Sequence, residues 1–366
     1  MRYHRVVVKL GTNVLTAGGP RLSRPRIVEL VRQVASLHTE GVEVVMVSSG
    51  AVLAGRERLD LYTRIRGIPL KQMLAAVGQG RLMQLYAQLF DLYDIPVAQA
   101  LLTRVDLADR TRYLNARNTL LALLERRVVP IVNENDVVGV EEIRIGDNDN
   151  LSALVANLID ADLLVMLTDA AGLFTADPRK HPDATLIPVV EHVDDSVRAL
   201  AGGTVTGRGT GGMITKIQAA ELATRAGTAT IVAAGAEPDV LRRLVAGEAL
   251  GTLFVATANR MESRKRWILT DPIRGELVVD DGAVRALQER GKSLLPAGVV
   301  EVRGDFARGA TVKVVDCAAH DIARGVTLYN SADLRLIKGR KSTEIEGQLG
   351  YDYGAEVIHR NDLVLL

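Results

Sequence analysis

Residues 5–13 read Arg-Val-Val-Val-Lys-Leu-Gly-Thr-Asn, and this stretch decides the fold. Its apolar, β-branched side chains occupy successive positions instead of alternating with polar ones, which predicts a strand buried on both faces. Lys9 interrupts the run near its end, and a glycine followed by small polar residues comes directly after it. We therefore expect a buried parallel strand over residues 5–10, with polar groups at its carboxyl end.

Six similar apolar runs follow, separated by stretches with helical periodicity. The runs span 42–48, 95–102, 128–133, 163–168, 228–233 and 251–256, and the predicted helices span 26–38, 70–92, 111–126, 151–159, 214–225 and 239–246. This alternation predicts an α/β fold over residues 1–258, a three-layer αβα sandwich with a mainly parallel central sheet. Ligands of such sheets bind beyond the carboxyl ends of the strands.

The sequence changes character near residue 259. Residues 259–274 are polar and basic and predict a linker, while residues 275–366 contain short β-like runs at 275–279, 298–302, 310–315 and 321–328. We expect the last segment to form a small β-rich barrel, of a size within the normal range for a domain.

Composition excludes several classes of protein. Lys and Arg total 45 against 44 Asp and Glu, so the chain lacks the basic excess of a nucleic-acid-binding protein. Cys317 is the only cysteine, which excludes an intrachain disulfide and a cysteine-clustered metal site. No apolar segment resembles an export signal or a membrane span. We expect a cytoplasmic protein that does not bind membranes.

A glycine-rich stretch precedes the helix predicted at 214–225. Residues 207–216 read Gly-Arg-Gly-Thr-Gly-Gly-Met-Ile-Thr-Lys, which departs from the Walker A pattern. Glycines allow backbone N–H groups to approach a phosphate, and a helix N-terminus attracts anions. Because a cation at Lys216 gains nothing from the helix dipole, a nearby anion would explain it. A flexible loop with a solvated lysine is the alternative.

Lysine is rare in the first 260 residues, where it occurs only at positions 9, 71, 180 and 216. Arginine supplies nearly all the other positive charge there, yet lysine occurs at position 9, two residues before Gly11, and at position 216, four residues after Gly212. A compact ammonium on a flexible stem suits a transferring phosphoryl group. A surface lysine whose stem packs on apolar neighbours is the alternative for Lys9.

Polar blocks follow other predicted strands. Residues 133–136 read Asn-Glu-Asn-Asp, residues 48–51 read Ser-Ser-Gly-Ala, and residues 146–150 read Gly-Asp-Asn-Asp-Asn before a predicted helix. An Asx turn and a helix N-cap are the structural alternatives. One cap needs one such residue, so the surplus at 147–150 could bind an ammonium, organise a lysine or hold a metal. None of the six histidines falls in these blocks, which disfavours zinc or Ser-His hydrolysis.

Several strings together resemble the amino-acid kinase family. They lie at 7–15, 47–52 (Val-Ser-Ser-Gly-Ala-Val), 71–79, 133–136, 146–153, 167–169 and 209–216, with Asn13 where many members have Ser. Within the family, the resemblance is to members that phosphorylate the side-chain carboxylate of glutamate at the start of proline synthesis. Strings at 293–299, 304–309 and 322–325 resemble a PUA domain, a module that elsewhere binds RNA.

The resemblance implies roles for particular residues. Lys9 and Lys216 would neutralise the transferring phosphoryl group, and Asp149 would position both. Ser49, Asp136 and Asn148 would bind glutamate. ATP would contact Lys9, Lys216, Thr168, Asp169 and the loop formed by Thr210, Gly211, Gly212, Met213, Ile214 and Thr215. The resemblance further implies Mg²⁺ held mainly by the ATP phosphates, proline as feedback inhibitor, and a homodimer or homotetramer.

This chemistry needs no general base. A glutamate side chain has an ordinary pKa of about 4.3, so at neutral pH it is already an anionic nucleophile. The obstacle is repulsion between the carboxylate and the polyphosphate, about 4 kcal/mol for two charges 4 Å apart at an effective dielectric of 20. Lysines, Mg²⁺ and backbone N–H groups offset such repulsion.

Three further interpretations stay open. The chain could act on another carboxylate, as an N-acetylglutamate or aspartate kinase, or it could bind RNA on an inactive kinase scaffold. The nearly neutral C-terminal segment disfavours RNA. Residues 59–68, which include Tyr62, Gly67 and two arginines, could form a lid over the glutamate site or a plain surface loop.

Overall fold

The computed structural model describes residues 2–61, 67–139, 147–201, 212–257, 265 and 268–366. The chain divides into two compact units. Unit 1 comprises Met1–Asp109 and Thr119–Ala258, and unit 2 comprises Arg110–Asn118 and Asn259–Leu366. Sequence reasoning did not anticipate that residues 110–118 group with the C-terminal unit.

Unit 1 is built on an eight-stranded sheet with the order β3-β4-β2-β1-β5-β7-β8-β6. Neighbouring strands are parallel except β7 and β8, which are antiparallel. Every predicted run overlaps a strand, and the runs at 5–10 and 163–168 match their strands residue for residue. The strands are β1 Arg5–Leu10, β2 Glu43–Ser48, β3 Val97–Leu102, β4 Val129–Glu134, β5 Leu163–Thr168, β6 Val189–Val190, β7 Ala229–Ala234 and β8 Thr252–Phe254.

Helices cover both faces of this sheet. The helices of this part of the chain are α1 Thr12–Thr16, α2 Arg24–Thr39, α3 Ala51–Leu59, α4 Ile68–Asp91, α5 Arg104–Ala108, α6 Arg110–Glu125, α7 Asp147–Leu158, α8 Asp195–Leu200, α9 Met213–Arg225 and α10 Val240–Ala246. Val6, Val8 and Leu10 pack in one core with α2, α4 and α10. Since side chains alternate along a strand, Lys9 points to the opposite face, where α7 packs on β1, β4 and β5. The predicted three-layer sandwich is confirmed.

Helix α7 begins earlier than the sequence predicts. We expected residues 146–150 to precede a helix starting at Leu151, whereas α7 starts at Asp147. Asn148 and Asp149 therefore lie in the first helical turn. A carboxylate there interacts favourably with the positive end of the helix dipole, which accounts for the earlier start.

Helices α3 and α4 pack unusually closely. A Cβ atom added to Gly78 would lie 1.8 Å from the carbonyl oxygen of Ala51, and one added to Gly55 would lie 2.0 Å from that of Leu74. Only glycine fits at these two positions, because any side chain would force the helices apart. The contact places the middle of α4 directly against the start of α3, which follows β2.

Unit 2 contains a separate five-stranded sheet with the order β10-β9-β11-β12-β13. Its strands are β9 Gly275–Val279, β10 Val299–Arg303, β11 Thr311–Val315, β12 Asp321–Val326 and β13 Leu363–Leu365. Helices α11 Asp281–Gln288, α12 Ser331–Ile337 and α13 Ile345–Leu349, none predicted from sequence, accompany it. Also within this unit, Leu114 of α6 packs on Ile268, Val326 and Val364.

The longest helix, α4, has 24 residues. Neither it nor any other helix in the described ranges is both long and apolar enough to cross a membrane.

Candidate active site

A cleft of about 1310 Å³ opens in unit 1 at the carboxyl ends of β1, β2, β4 and β5. A pocket for one small-molecule ligand typically has a volume of roughly 300–1,000 Å³. The cleft thus has room for two ligands side by side, such as a nucleotide and an amino acid. Its lining also includes the start of α9 and the stretch that follows β5.

Two lysines and one aspartate meet at the base of the cleft. The Nζ atom of Lys9 lies 2.5 Å from Oδ1 of Asp149, and the Nζ atom of Lys216 lies 3.1 Å from Oδ2. The Thr215 hydroxyl donates a hydrogen bond to the same Oδ2 at 2.6 Å. The Asp149 side chain is only 1% exposed, whereas Lys216 is 10% exposed and reaches the cleft. One carboxylate therefore holds two ammonium groups near each other.

Burial and the attraction between opposite charges shift the pKa values of Lys9 and Asp149 in opposite directions. Burial alone would raise the pKa of Asp149, but the charges of Lys9 and Lys216 outweigh it and hold the pKa below its ordinary value. Burial lowers the pKa of Lys9, and the like charge of Lys216 lowers it further, against the raising effect of Asp149. The cluster carries a net positive charge when both lysines are protonated, so it can attract an anion.

Three helices that line the cleft begin without a side-chain cap. The N-cap residues are Gly11 for α1, Gly50 for α3 and Gly212 for α9, and none of them can offer a side-chain oxygen to the first-turn N–H groups. Gly212 has φ of 100°, a conformation that favours glycine. The exposed N–H groups of α9 can therefore bind a phosphate or carboxylate.

Asn148 and Ser49 contact each other at the β2 side of the cleft. The Nδ2 group of Asn148 donates to the Ser49 hydroxyl at 2.9 Å and to Oδ1 of Asn133 at 2.9 Å. Asn133 in turn donates to Gln79 at 2.9 Å. Ser49, Asn148 and Asn133 all line the cleft, and Gln79 lies behind them. Polar side chains from β4, α4, α7 and the residue that follows β2 thus form one connected network.

Asp136 also lines the cleft, just beyond β4. Burial raises the pKa of its carboxyl group. In the described part of the chain, no hydrogen bond or ion pair engages this side chain. A partly desolvated carboxylate with no protein partner there is suited to bind a cation such as a substrate ammonium.

Thr168 and Asp169 lie at the end of β5, on the other side of the lysine cluster. The Thr168 hydroxyl donates to Oδ1 of Asp169 at 3.0 Å, and Asn13 donates to Oδ2 at 3.4 Å. Although partial burial would raise the pKa of Asp169, these hydrogen bonds lower it overall. Asp169 therefore places a charged carboxylate at this end of the cleft.

The structure brings most of the predicted site residues into one cleft. The predicted residues that line it are Lys9, Ser49, Asp136, Asn148, Asp149, Thr168, Asp169, Gly212, Met213 and Lys216. Ile214 and Thr215 are absent from the lining; Thr215 instead holds Asp149. Thr210 and Gly211 lie outside the described residues, as do residues 62–66 of the predicted lid at 59–68.

Sequence reasoning missed several lining residues. They include Asn133, Glu134, Lys71 and much of the stretch from Ala170 to His181. Asn133 and Glu134 belong to a polar block already noticed at a strand end, so their position carried a usable signal. The stretch after β5 has no such pattern, because an irregular loop leaves no periodicity to recognise.

Comparison with known proteins agrees with this fold. The family model for the amino acid kinase family matches residues 4–234, and that for the PUA domain matches residues 275–349. This chain belongs to the amino acid kinase family. It is similar to the glutamate 5-kinase of Herpetosiphon aurantiacus, with 61% identity over 98% of both chains. Glutamate 5-kinases of Deinococcus radiodurans (59%, 99% of this chain and 100% of the relative) and Shewanella oneidensis (55%, 100% and 98%) are also similar.

Proposed function

We propose that this chain transfers the γ-phosphoryl group of ATP to the side-chain carboxylate of L-glutamate. The product would be L-glutamyl 5-phosphate, formed in the first step of proline biosynthesis. The observation that carries the proposal is the cluster of Lys9, Asp149 and Lys216 at the base of a cleft large enough for two ligands. Relatives of 55–61% identity over nearly the full chain bear the name of this activity.

The cluster supports phosphoryl transfer through charge. Both the glutamate carboxylate and the polyphosphate are anions, so their approach needs positive groups already in place. Lys9 and Lys216 would supply them, and Asp149 would keep the two ammonium groups at a fixed separation. The uncapped N-terminus of α9 would bind nucleotide phosphates, with Gly212 and Met213 next to them. Thr168 and Asp169 would contact the nucleotide from β5.

The opposite side of the cleft would hold glutamate. Asp136 would pair with the α-ammonium, since this carboxylate is partly desolvated and has no partner within the described ranges. Ser49 and Asn148 would form further hydrogen bonds with the amino acid. The side-chain carboxylate would then extend toward Lys9 and Lys216, where the phosphoryl group arrives.

Magnesium fits this arrangement as an ion carried by the nucleotide. Mg²⁺ prefers oxygen ligands and usually takes one or two protein carboxylates, with waters and phosphates completing its shell. The described residues offer no cluster of three Asp, Glu, His or Cys side chains for a metal. Asp169 alone, with its lowered pKa, would be a suitable protein ligand. The ion would neutralise charge on the ATP phosphates.

An assay with three acceptors tests the proposed substrate. ATP consumption is measured with L-glutamate, N-acetyl-L-glutamate and L-aspartate as separate acceptors. We expect glutamate to be preferred by at least about 10² in kcat/KM, because losing the pairing of buried polar groups produces discrimination of this order or more. Equal or better turnover of either other acceptor would assign the chain to a different carboxylate kinase.

Replacing Asp136 with alanine should raise the KM for glutamate about 10- to 100-fold, with the KM for ATP nearly unchanged. The expected size is that of one hydrogen-bonded charge pair. Steady-state kinetics with each substrate varied in turn gives both constants. The control is Val138→Ala, which changes an exposed side chain two residues away. Equal weakening of both substrates by Asp136→Ala would indicate a collapsed site instead of one lost contact.

Proline should inhibit this enzyme in competition with glutamate. Proline has the α-carboxylate and a charged nitrogen but lacks the side-chain carboxylate, so it could occupy the amino-acid half of the cleft without being phosphorylated. The measurement is a glutamate titration at several fixed proline concentrations, with inhibition overcome at saturating glutamate as the expected result. Inhibition that persists at saturating glutamate would locate the proline site elsewhere. If residues 59–68 form a lid, substitutions there should relieve inhibition while sparing catalysis.

A further inference from the structure

The hydrogen bonds that join the side-chain amides of Gln79, Asn133 and Asn148 run in one fixed direction from donor to acceptor. The backbone N–H of Glu134 donates to Oδ1 of Asn133 at 2.9 Å. A backbone N–H can only donate, so this bond identifies Oδ1 as the acceptor end of the Asn133 amide. The Nδ2 group of Asn133 must then face the other way, where it donates to Oε1 of Gln79 at 2.9 Å. Both side chains are buried, at 2% and 8% exposure.

The same bonds determine what Asn148 presents to a ligand. Its Nδ2 group has two protons, and both are donated, one to Asn133 and one to Ser49. Its remaining polar atom, Oδ1, is buried and receives no hydrogen bond from any residue that the structure describes. Asn148 lines the cleft. It therefore offers a ligand an acceptor and no donor.

Ser49 presents the opposite polarity. Its hydroxyl oxygen accepts the hydrogen bond from Asn148, which leaves the hydroxyl proton for another acceptor. Ser49 also lines the cleft. An acceptor at Asn148 beside a donor at Ser49 matches a ligand that carries an ammonium and a carboxylate on neighbouring atoms.

Close packing of α4 holds Gln79 in place as the acceptor of the Asn133 hydrogen bond. The preceding residue, Gly78, is in the tight contact with Ala51 described above. Two turns further along the same face of α4, the Tyr86 hydroxyl lies 2.7 Å from the Ser48 hydroxyl at the end of β2. The helix thus contacts the ends of β2 and β4. The backbone of Gln79 cannot move away from Asn133 unless the whole helix moves. The Nε2 atom of Gln79 is buried with no acceptor among the described residues, so its oxygen is the part that the network uses.

We propose that Gln79 and Asn133 are positioning residues that fix the polarity of the amino-acid subsite. By holding the Asn148 amide in one orientation, they make it an acceptor for the α-ammonium of the substrate, and they leave the Ser49 proton for a carboxylate. The inference rests on the proposed function and deepens it. It assigns the preference for a substrate with a free amine to Gln79 and Asn133, which take no part in the reaction itself. An N-acetylated amine has no charge and a single N–H, and it fits this polarity poorly.

The test compares L-glutamate with glutarate, which has both carboxylates but no ammonium. Titration calorimetry on the full-length protein measures binding without turnover, so its result is separate from whether glutamate is phosphorylated. Wild type should bind glutamate at least about tenfold more tightly than glutarate. Gln79→Met keeps the side-chain length without the amide, and it should weaken glutamate about tenfold while changing glutarate less than about threefold.

Two further variants separate a positioning role from a structural one. Gln79→Glu keeps an acceptor oxygen toward Asn133 and should retain most of the preference for glutamate. In an Asn148→Ala background, Gln79→Met should have little further effect, since residues that act through one another are not additive. Gln84→Met, at an exposed position of the same helix, is the matched control and should bind both ligands like wild type.

The outcomes are distinct. Equal weakening of glutamate and glutarate by Gln79→Met, or additive effects in the double variant, would overturn the inference. Equal binding of glutamate and glutarate by the wild-type protein would also overturn the inference, even if that protein phosphorylates glutamate. Should Gln79→Met fail to fold, Gln79→Glu decides, because a loss of glutamate preference with an unchanged melting temperature contradicts the acceptor role. A three-acceptor assay in which glutamate is not the preferred acceptor would instead contradict the proposed function.

Discussion

Lys216→Ala should lower kcat by about 10²–10³ while changing the KM for glutamate only a few-fold. Removing one preorganised electrostatic contact to developing charge commonly costs this much in rate. Lys216 is the more accessible of the two lysines held by Asp149, and it lies on the first turn of α9, at the predicted phosphate site. A loss that falls on kcat indicates an interaction made in the transition state.

Lys216→Met provides the matched control for this variant. Methionine retains the buried apolar stem but lacks the ammonium, so it should lose as much activity as alanine. Lys292→Ala, an exposed position of unit 2, should keep wild-type kinetics. Lys216→Ala or Lys216→Met retaining half of the wild-type kcat would contradict the proposed role of the ammonium.

Asp149→Asn should reduce kcat by at least about 10², the scale of one lost preorganised contact, and should introduce a new dependence on pH. Without the carboxylate, Lys9 and Lys216 lose the counter-charge that both of them contact. Burial and Lys216 already lower the pKa of Lys9, and loss of Asp149 removes the interaction that raises it. The pKa of Lys9 should therefore fall further. Because a lysine loses its charge as pH rises through its pKa, the activity of the variant should decline with rising pH at lower pH than in wild type.

The measurement is kcat as a function of pH for both proteins, at a temperature well below the melting point of the variant. Breaking a buried ion pair can cost about 3–5 kcal/mol of stability, so the melting temperature must be recorded alongside. Asp91→Asn, at an exposed position at the end of α4, is the charge control and should match wild type. A folded Asp149→Asn protein with an unchanged pH profile would show that Asp149 does not govern the lysines.

The sequence predicted the strands well because they are buried on both faces. Arg5–Leu10, Leu163–Thr168 and Gly275–Val279 have the predicted ends, since apolar runs bounded by polar residues leave little ambiguity. The short helices α11 and α12 were missed because they have only eight and seven residues, fewer than the roughly three to four turns of an average globular helix. Strand β13 has three residues and no alternating pattern.

Candidate site residues were predictable where they follow strands. They were less predictable where tertiary packing determines which side chains reach the site. Lys9, Ser49, Asp136 and Thr168 each lie at or just beyond the end of a strand, and the sheet order brings those ends together. Gln79 gave no such signal, because a glutamine within an amphipathic helix usually faces solvent. Only the close approach of α3 and α4 places its amide against Asn133.

An isotope experiment tests the central claim most directly, namely that the glutamate side-chain carboxylate is the nucleophile. The enzyme is supplied with ATP, Mg²⁺ and L-glutamate labelled with ¹⁸O in its side-chain carboxylate, and the acyl phosphate is trapped with hydroxylamine. Hydroxylamine attacks the carbonyl carbon, so the released phosphate keeps the bridging oxygen. We predict that mass spectrometry will find one ¹⁸O atom in that phosphate and the hydroxamate on the side chain. Unlabelled phosphate would mean that water attacks ATP, and it would contradict the account.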